Sequence, residues 1–412
     1  MTDFEDQLDL NPDAVFLQSR EGRHTYAEVD RLVSARVGEL GDRRGTQVVV
    51  RPRIDVGSVV EILAVTRSGA TAVLVAPGLP EDMTATQISS ASAEERRSQT
   101  ILFTSGSSGI PKGVRVTASN WLAAAAGSMD RLGHGPGEQW LCPLPLHHVG
   151  GLSIIYRSLA AGGSVVLAPE GADVTAWIGR VQLASLVSTQ LLRALANRSD
   201  VFTNRPIVLV GGGPSEPALL DQAETAGMVV LPTYGMTETT SQAATAIPGD
   251  SERRLFPLKG VDIRVGSDDR IEVRGPTVSP SYVGEPERAI GTWFATADRG
   301  RIEPDGSLVV LGRLDRLVIS GGENVDPALV EAAIESHPDV VEATVIAVPD
   351  REWGQLVAAV YAGNASPEDV KAFVTGKLPP YAVPKRWLRM EALPRTELGK
   401  IDAAALTAMF AS

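Results

Sequence analysis

Cysteine is almost missing from this chain: Cys142 stands alone among 412 residues. A single thiol closes no intrachain disulfide and builds no thiolate zinc cluster. Positive charge is also in short supply. Lys and Arg total 38 against 50 Asp and Glu, a formal net charge of −12. That balance argues against general binding to nucleic acid or to an anionic membrane, both of which need a positive surface. It leaves room for a local phosphate site made of backbone N–H groups and a few cations. No apolar run approaches the roughly 18 residues of a membrane span, and the stretch 71–77 is too short and ends at Pro77. Met1 is followed by Asp3, Glu5 and Asp6 instead of a basic patch and an apolar run. No secretory signal is visible, so a cytoplasmic protein without stable membrane insertion and without nucleic-acid partners is expected.

What is present is length and periodicity. At roughly 100–200 residues per domain, the chain predicts two or three units. Thr25 and Glu28 form a capping-box pattern ahead of a helix through about Leu40, and Asp55 caps a second to about Ser68. Short β-branched runs at 47–50, 71–76, 100–103, 164–167, 186–188, 207–210 and 229–231 alternate with helical stretches. Runs this apolar fit strands covered on both faces. They predict an α/β fold: a large N-terminal domain of stacked, mainly parallel sheets with helices. Beyond Gly260 the texture changes. Strands at 261–265, 270–273 and 307–311 predict an antiparallel meander or distorted β-barrel subdomain over about 255–313. After 312–319, the helix starts Asp326-Pro327 and Ser366-Pro367-Glu368 and strands at 341–348 and 356–361 predict a small α+β unit.

The strongest local feature is Thr104-Ser105-Gly106-Ser107-Ser108-Gly109-Ile110-Pro111-Lys112-Gly113, after a strand and before a helix near Ala118. Glycines let the backbone turn tightly and aim N–H groups inward. Hydroxyls add donors for oxyanions, and Lys112 adds a compact positive charge. A flexible linker needs neither the buried strand nor the Pro-Lys-Gly ending. An ordinary phosphate-binding P-loop needs Ser or Thr after its lysine, where this chain has Gly113.

This loop resembles that of the adenylate-forming superfamily, which joins acyl-CoA synthetases, nonribosomal-peptide adenylation domains and firefly luciferase. The resemblance continues in order over roughly 101–401. It implies ATP binding by Thr104, Ser105, Gly106, Ser107, Ser108, Gly109 and Lys112. In Tyr234-Gly235-Met236-Thr237-Glu238 it implies that Tyr234 stacks on adenine, that Gly235 and Met236 close over the nucleotide, that Thr237 touches the α-phosphate and that Glu238 binds Mg²⁺. Gly211, Gly212 and Gly213, after a strand, match the adenine turn, and Asp298 and Arg313 match the ribose pair. Ala297 stands where the superfamily usually has glycine. Asp315 matches the hinge, so the implied domains are 1–313, a hinge at 314–316, and a mobile α+β domain at 317–412. Arg316 replaces a second acidic residue common at that hinge. Gly321 and Gly322 match the glycine loop lining the CoA tunnel, and Lys400, in Pro394-Arg395-Thr396-Glu397-Leu398-Gly399-Lys400, matches the catalytic lysine. ATP, Mg²⁺ and CoA are the implied cofactors and co-substrates.

The acid is addressed by Leu144-Pro145-Leu146-His147-His148-Val149-Gly150-Gly151-Leu152, where His148 matches the gate between acyl pocket and CoA tunnel. Residues 140–146, 153–160 and 185–191, with Ser241-Gln242, resemble the o-succinylbenzoate–CoA ligases of menaquinone synthesis. That implies a small-molecule dicarboxylate substrate, with Arg157 as candidate partner of the second carboxylate and Ser188 on the pocket floor, where proline is expected. A homodimer is compatible with it. Three alternatives stay open: a ligase for another aryl or aliphatic acid, including amide-forming ones; a stand-alone amino-acid-activating module serving a carrier protein; and a nucleotide-binding regulator without chemistry.

Overall fold

The computed structural model describes residues 11–77, 99–104, 112–169, 171–197, 201–320, 323–395 and 401–410. The candidate residues Ser105, Gly106, Ser107, Ser108, Gly109, Gly321, Gly322 and Lys400 lie outside the described residues. The chain divides into two compact units: 1–264, 272–294 and 302–309 form one, and 265–271, 295–301 and 310–412 the other.

In the first unit, six parallel strands run side by side in the order Val229–Met236, Ile207–Val210, Leu183–Leu186, Gln139–Cys142, Ser164–Leu167 and Val15–Gln18. Strand Arg23–Thr25 is antiparallel at one edge, and Ser241–Ala246 and Leu255–Pro257 continue antiparallel at the other. A second sheet has Gln47–Val50, Thr71–Leu74 and Thr100–Thr104 parallel, and Lys112–Val116 antiparallel. Strands such as Thr71–Leu74 and Ser164–Leu167 are buried at every position, as strands covered on both faces must be. One core joins residues of both sheets with Val29, Ile62, Trp121 and Ile155 from helices Tyr26–Leu40, Val56–Arg67, Ala118–Leu132 and Val149–Ala161. A second core covers the opposite face of the large sheet with Ile178, Leu191 and Leu220. The first helix starts as its sequence predicts: Glu28 N–H donates to Thr25 Oγ1 at 3.2 Å and Thr25 N–H to Glu28 Oε2 at 2.9 Å.

Three expectations change. The run read as a strand at 186–188 is Leu183–Leu186, and Ser188 opens the helix Ser188–Ala196. Gln190 Oε1 accepts from the Val187 N–H at 3.2 Å, a helix-start contact that ends the strand. Lys112–Val116 is a strand hairpinned back on Thr100–Thr104, not a plain connection into a helix. Past Gly260 no closed barrel forms among the described residues. The strand path runs on, open, through Leu308–Arg313, Phe294–Ile302, Arg270–Arg274 and Asp262–Val265.

The second unit centres on the hairpin of Val340–Asp350 and Gly354–Gly363, flanked by Val318–Ser320, Glu323–Val325 and the parallel strand Arg386–Met390. Val330, Ile334, Val370 and Val374 pack one face and Leu406 the other. Both helices announced by Asp326-Pro327 and Ser366-Pro367 have those residues as cap and first helical position. No helix among the described residues is long and apolar enough to cross a membrane.

Candidate active site

The carboxyl ends of parallel strands are where an α/β sheet offers a ligand site, and in the first unit the 211–213 and 234–238 motifs lie at such ends. Gly211 ends Ile207–Val210, with its N–H on the Leu186 carbonyl at 3.2 Å. A Cβ on Gly211 would stand 2.8 Å from Thr233 Cγ2, and Gly212 has φ +84°, so this turn requires glycine twice. Gly213 is open on all sides. Ser188 Oγ lies 2.9 Å from Ser215 Oγ and donates to the Pro214 carbonyl, tying the start of helix Ser188–Ala196 to this turn.

Tyr234, Gly235 and Met236 finish strand Val229–Met236, and Thr237–Thr239 make one 3₁₀ turn before Ser241–Ala246. A Cβ on Gly235 would overlap the Ser241 carbonyl oxygen. The Thr240 and Ser241 backbones sit at φ 51° and 85°. The turn is thus forced into one shape, with Glu238 at its apex and Tyr234 buried in the strand below.

A strap over 276–288 clamps this turn to the end of the hairpin bearing Thr104 and Lys112. Thr240 Oγ1 donates to the Thr277 carbonyl at 2.7 Å and Ser279 N–H to the Glu238 carbonyl at 2.8 Å. Val283 N–H reaches the Gly113 carbonyl at 2.8 Å, and Tyr282 pairs with Val114. Arg115, 1% exposed, donates to Ser281 Oγ at 2.9 Å and to Glu287 Oε1 at 2.8 Å. Tyr282 then joins the two motifs directly: its hydroxyl donates to Glu238 Oε1 at 2.7 Å, and Lys112 Nζ stands 5.1 Å from its ring centroid. Burial, then the Glu238 carboxylate, pushes the Tyr282 phenol above the usual tyrosine range, so it stays a donor. The sequence reading missed Tyr282 and Arg115. Their partners lie 44 and 166 positions away, and no local spacing marks them.

His148 caps helix Val149–Ala161 in extended backbone, its ring 4.4 Å from that of His147. Gly151 must be glycine, since a Cβ there would overlap the carbonyl oxygens of Leu144 and Pro145. Ser153 Oγ faces Ser241 Oγ at 3.4 Å, which brings this helix start beside the Glu238 turn. Cys142 is buried, its thiol pushed up to about 12 by desolvation, and takes no part in chemistry. Arg157 lies nine residues further along this helix, a rise of about 13 Å at roughly 1.5 Å per residue. Its guanidinium is buried, 5.6 Å from the Trp140 ring centroid and beside His134.

In the second unit, Arg313 NH1 and Asp298 Oδ1 stand 3.9 Å apart, and the Asp298 N–H is held by Thr296 Oγ1 at 3.0 Å. Ala297 lies inside strand Phe294–Ile302 without positive φ, so alanine meets no strain there. Asp315 falls in the turn Leu314–Arg316. Arg316 is ion-paired with Glu331, whose carboxylate also accepts the Val345 N–H at 2.8 Å, so this residue anchors the turn to its own unit. Around Lys400, Arg395 pairs with Ile401 and Asp402 N–H reaches the Pro394 carbonyl at 2.8 Å.

A strand-end crevice that holds a hard carboxylate and an ammonium on one tyrosine, opening among glycine turns, defines a class of proteins that handle phosphate-bearing ligands. The chain belongs to the AMP-binding enzyme family: residues 91–283 match that family and residues 329–400 its C-terminal domain. It is 32% identical to the 2-succinylbenzoate–CoA ligase of Bacillus cereus (strain AH820), over 95% of each chain. With that of Geobacillus kaustophilus (strain HTA426) it shares 39% identity over 73% of this chain and 67% of the other. Its fold is similar to Bacillus subtilis o-succinylbenzoate CoA synthetase (MenE) in complex with the acyl-adenylate intermediate OSB-AMP, with TM-score 0.89, 28% identity, and coverage of 98% and 97%. The same enzyme with ATP and magnesium ion superposes with TM-score 0.88 at 27% identity, covering 98% of both chains.

Two outcomes are expected from this geometry. Gly235→Ala must displace the Glu238 turn or the Ser241 carbonyl. It should lose at least about tenfold in activity while the second unit keeps its amide-exchange protection, as hydrogen exchange can measure. His134 and His147 are both depressed to about 4, chiefly by burial and then by Arg157 and His148 respectively. The unfolded chain takes up these protons near pH 6.5 and the folded chain does not. Stability is therefore full above about pH 6.5 and falls as pH drops toward 4. A His134→Phe/His147→Gln variant should show a flatter thermal midpoint across that window, and an equal slope in both proteins would refute the assignment.

Proposed function

We propose that this chain is an AMP-forming acid–thiol ligase that converts o-succinylbenzoate, ATP and CoA into o-succinylbenzoyl-CoA, AMP and pyrophosphate through an acyl-adenylate. The observation that carries the reading is the meeting of Lys112 and Glu238 on Tyr282.

A carboxylate is a poor electrophile, and adenylation gives it a good leaving group. In the first half-reaction the substrate carboxylate attacks the α-phosphorus of ATP, and pyrophosphate leaves. Two anions must approach and charge builds on phosphate oxygens, so fixed cations and dipoles are the main catalytic resource. Lys112 supplies one cation, with the hydroxyls and backbone N–H groups that follow Thr104; Lys400 supplies another. The donor chemistry fits Mg²⁺: Glu238 offers a hard carboxylate oxygen, the ligand type this ion takes alongside substrate phosphates. When bound through Glu238, Mg²⁺ neutralises phosphate charge. By resemblance, Thr237 would touch the α-phosphate, Tyr234 and the 211–213 turn would border adenine, and Asp298 with Arg313 would take the ribose hydroxyls. In the second half-reaction the CoA thiolate attacks the acyl carbon and AMP departs. Asp315 is the pivot, His148 the acyl gate, and Gly321 and Gly322 line the thiol's path. With His148, Arg157 and Ser188 are the acyl-pocket candidates, Arg157 for the second carboxylate through charge-assisted hydrogen bonding.

The product test is mass spectrometry after incubation with ATP, CoA and o-succinylbenzoate, against a panel of aryl, fatty and amino acids. Thioester from o-succinylbenzoate alone supports the reading; turnover of another acid and not this one rejects it. Lys400→Ala should lose on the order of 10²–10³ in pyrophosphate release. Its conversion of supplied acyl-adenylate to thioester should suffer far less, and unaltered adenylate formation would remove Lys400 from the first step.

A further inference from the structure

We propose that Tyr282 is a positioning residue for the metal carboxylate: its hydroxyl holds one oxygen of Glu238 so that the other faces a divalent cation. This rests on the nucleotide-activating reading above.

Glutamate has several rotatable torsions, and fixing such a side chain costs conformational entropy. The turn fixes the Glu238 backbone through Gly235 and the positive-φ pair Thr240 and Ser241, yet none of these touches the carboxylate. Among the described residues, the one side-chain donor that reaches it is Tyr282, at 2.7 Å. A hydroxyl donating to a carboxylate at that separation is a charge-assisted bond, stronger than a neutral one. Among the described residues that bond engages Oε1, and Oε2 is the oxygen assigned to a metal.

Tyr282 is itself well held. Its backbone pairs with Val114, and Val283 beside it bonds to Gly113. Its ring has Lys112 Nζ at 5.1 Å and the Arg288 guanidinium at 5.4 Å, and Arg288 is tied back by its N–H to the Pro280 carbonyl at 2.8 Å. A rigid donor on a flexible ligand is the arrangement by which groups behind a metal ligand set its orientation. Removing such a partner typically costs 10–100-fold in metal affinity. A tyrosine that only filled space would change stability when its hydroxyl is lost and leave metal affinity alone.

The test compares wild type, Tyr282→Phe, Glu238→Gln and the double variant. Mn²⁺ binding is followed by electron paramagnetic resonance with α,β-methylene ATP present, and analogue binding without metal by calorimetry in EDTA. Tyr282→Phe keeps the ring under Lys112 and should weaken Mn²⁺ binding by about tenfold or more. Metal-free analogue binding should change less than about twofold. Glu238→Gln should weaken Mn²⁺ further, and adding Tyr282→Phe to it should cost nothing more, the non-additivity of two residues acting through one group. Activity that Tyr282→Phe loses at low Mg²⁺ should return at high Mg²⁺. Wild-type Mn²⁺ affinity in Tyr282→Phe, or a further loss in the double variant, overturns the inference while leaving the ligase reading intact. A wild-type protein that binds no Mn²⁺ with the analogue overturns both.

Discussion

Arg115 carries its guanidinium into the interior of the first unit, and the surrounding structure is arranged to accommodate it. A buried cation is expensive unless it is paired and hydrogen-bonded. Ser281 and Glu287 satisfy this one, and both lie on the strap over 276–288. The strap is thereby held to strand Lys112–Val116. From there it reaches the Glu238 turn through Thr277, Ser279 and Tyr282. Two motifs more than a hundred residues apart are brought together through this strap, with Arg115 and the backbone bonds of Ser279 and Val283 holding it.

Glycine performs the complementary task. At Gly113, Gly151, Gly211 and Gly235 a Cβ would press on a neighbouring chain or side chain. Each marks a place where the backbone comes closer than a side chain allows: Gly113 in a strand, Gly151 in the first turn of a helix, and Gly211 and Gly235 at strand ends. The site is rigid on one side by close approach and charged on the other by Lys112 and Glu238. This suits chemistry that stabilises developing phosphate charge with fixed dipoles.

Two arginines are accommodated by local partners. Arg157 follows His148 on one helix and lies buried against Trp140. Arg316 departs from the superfamily's acidic hinge pattern, yet its charge is matched by Glu331 within the same unit. The departure has a local electrostatic reason.

Local interactions were legible from the residues alone. Thr25 with Glu28, Asp326 before Pro327 and Ser366 before Pro367 begin helices because their partners are within three positions, and the apolar runs become strands because burial on both faces selects them. The ligase class was also legible, through the resemblance of the phosphate loop, the Glu238 segment and the Lys400 segment to the adenylate-forming superfamily. Other features needed the tertiary structure: the hairpin at Lys112, the open path of strands in place of a barrel, the end of strand Leu183–Leu186, and the linkage of Lys112 to Glu238 through Tyr282. Each depends on contacts between residues distant in the chain, and local periodicity contains no term for a partner 44 or 166 positions away.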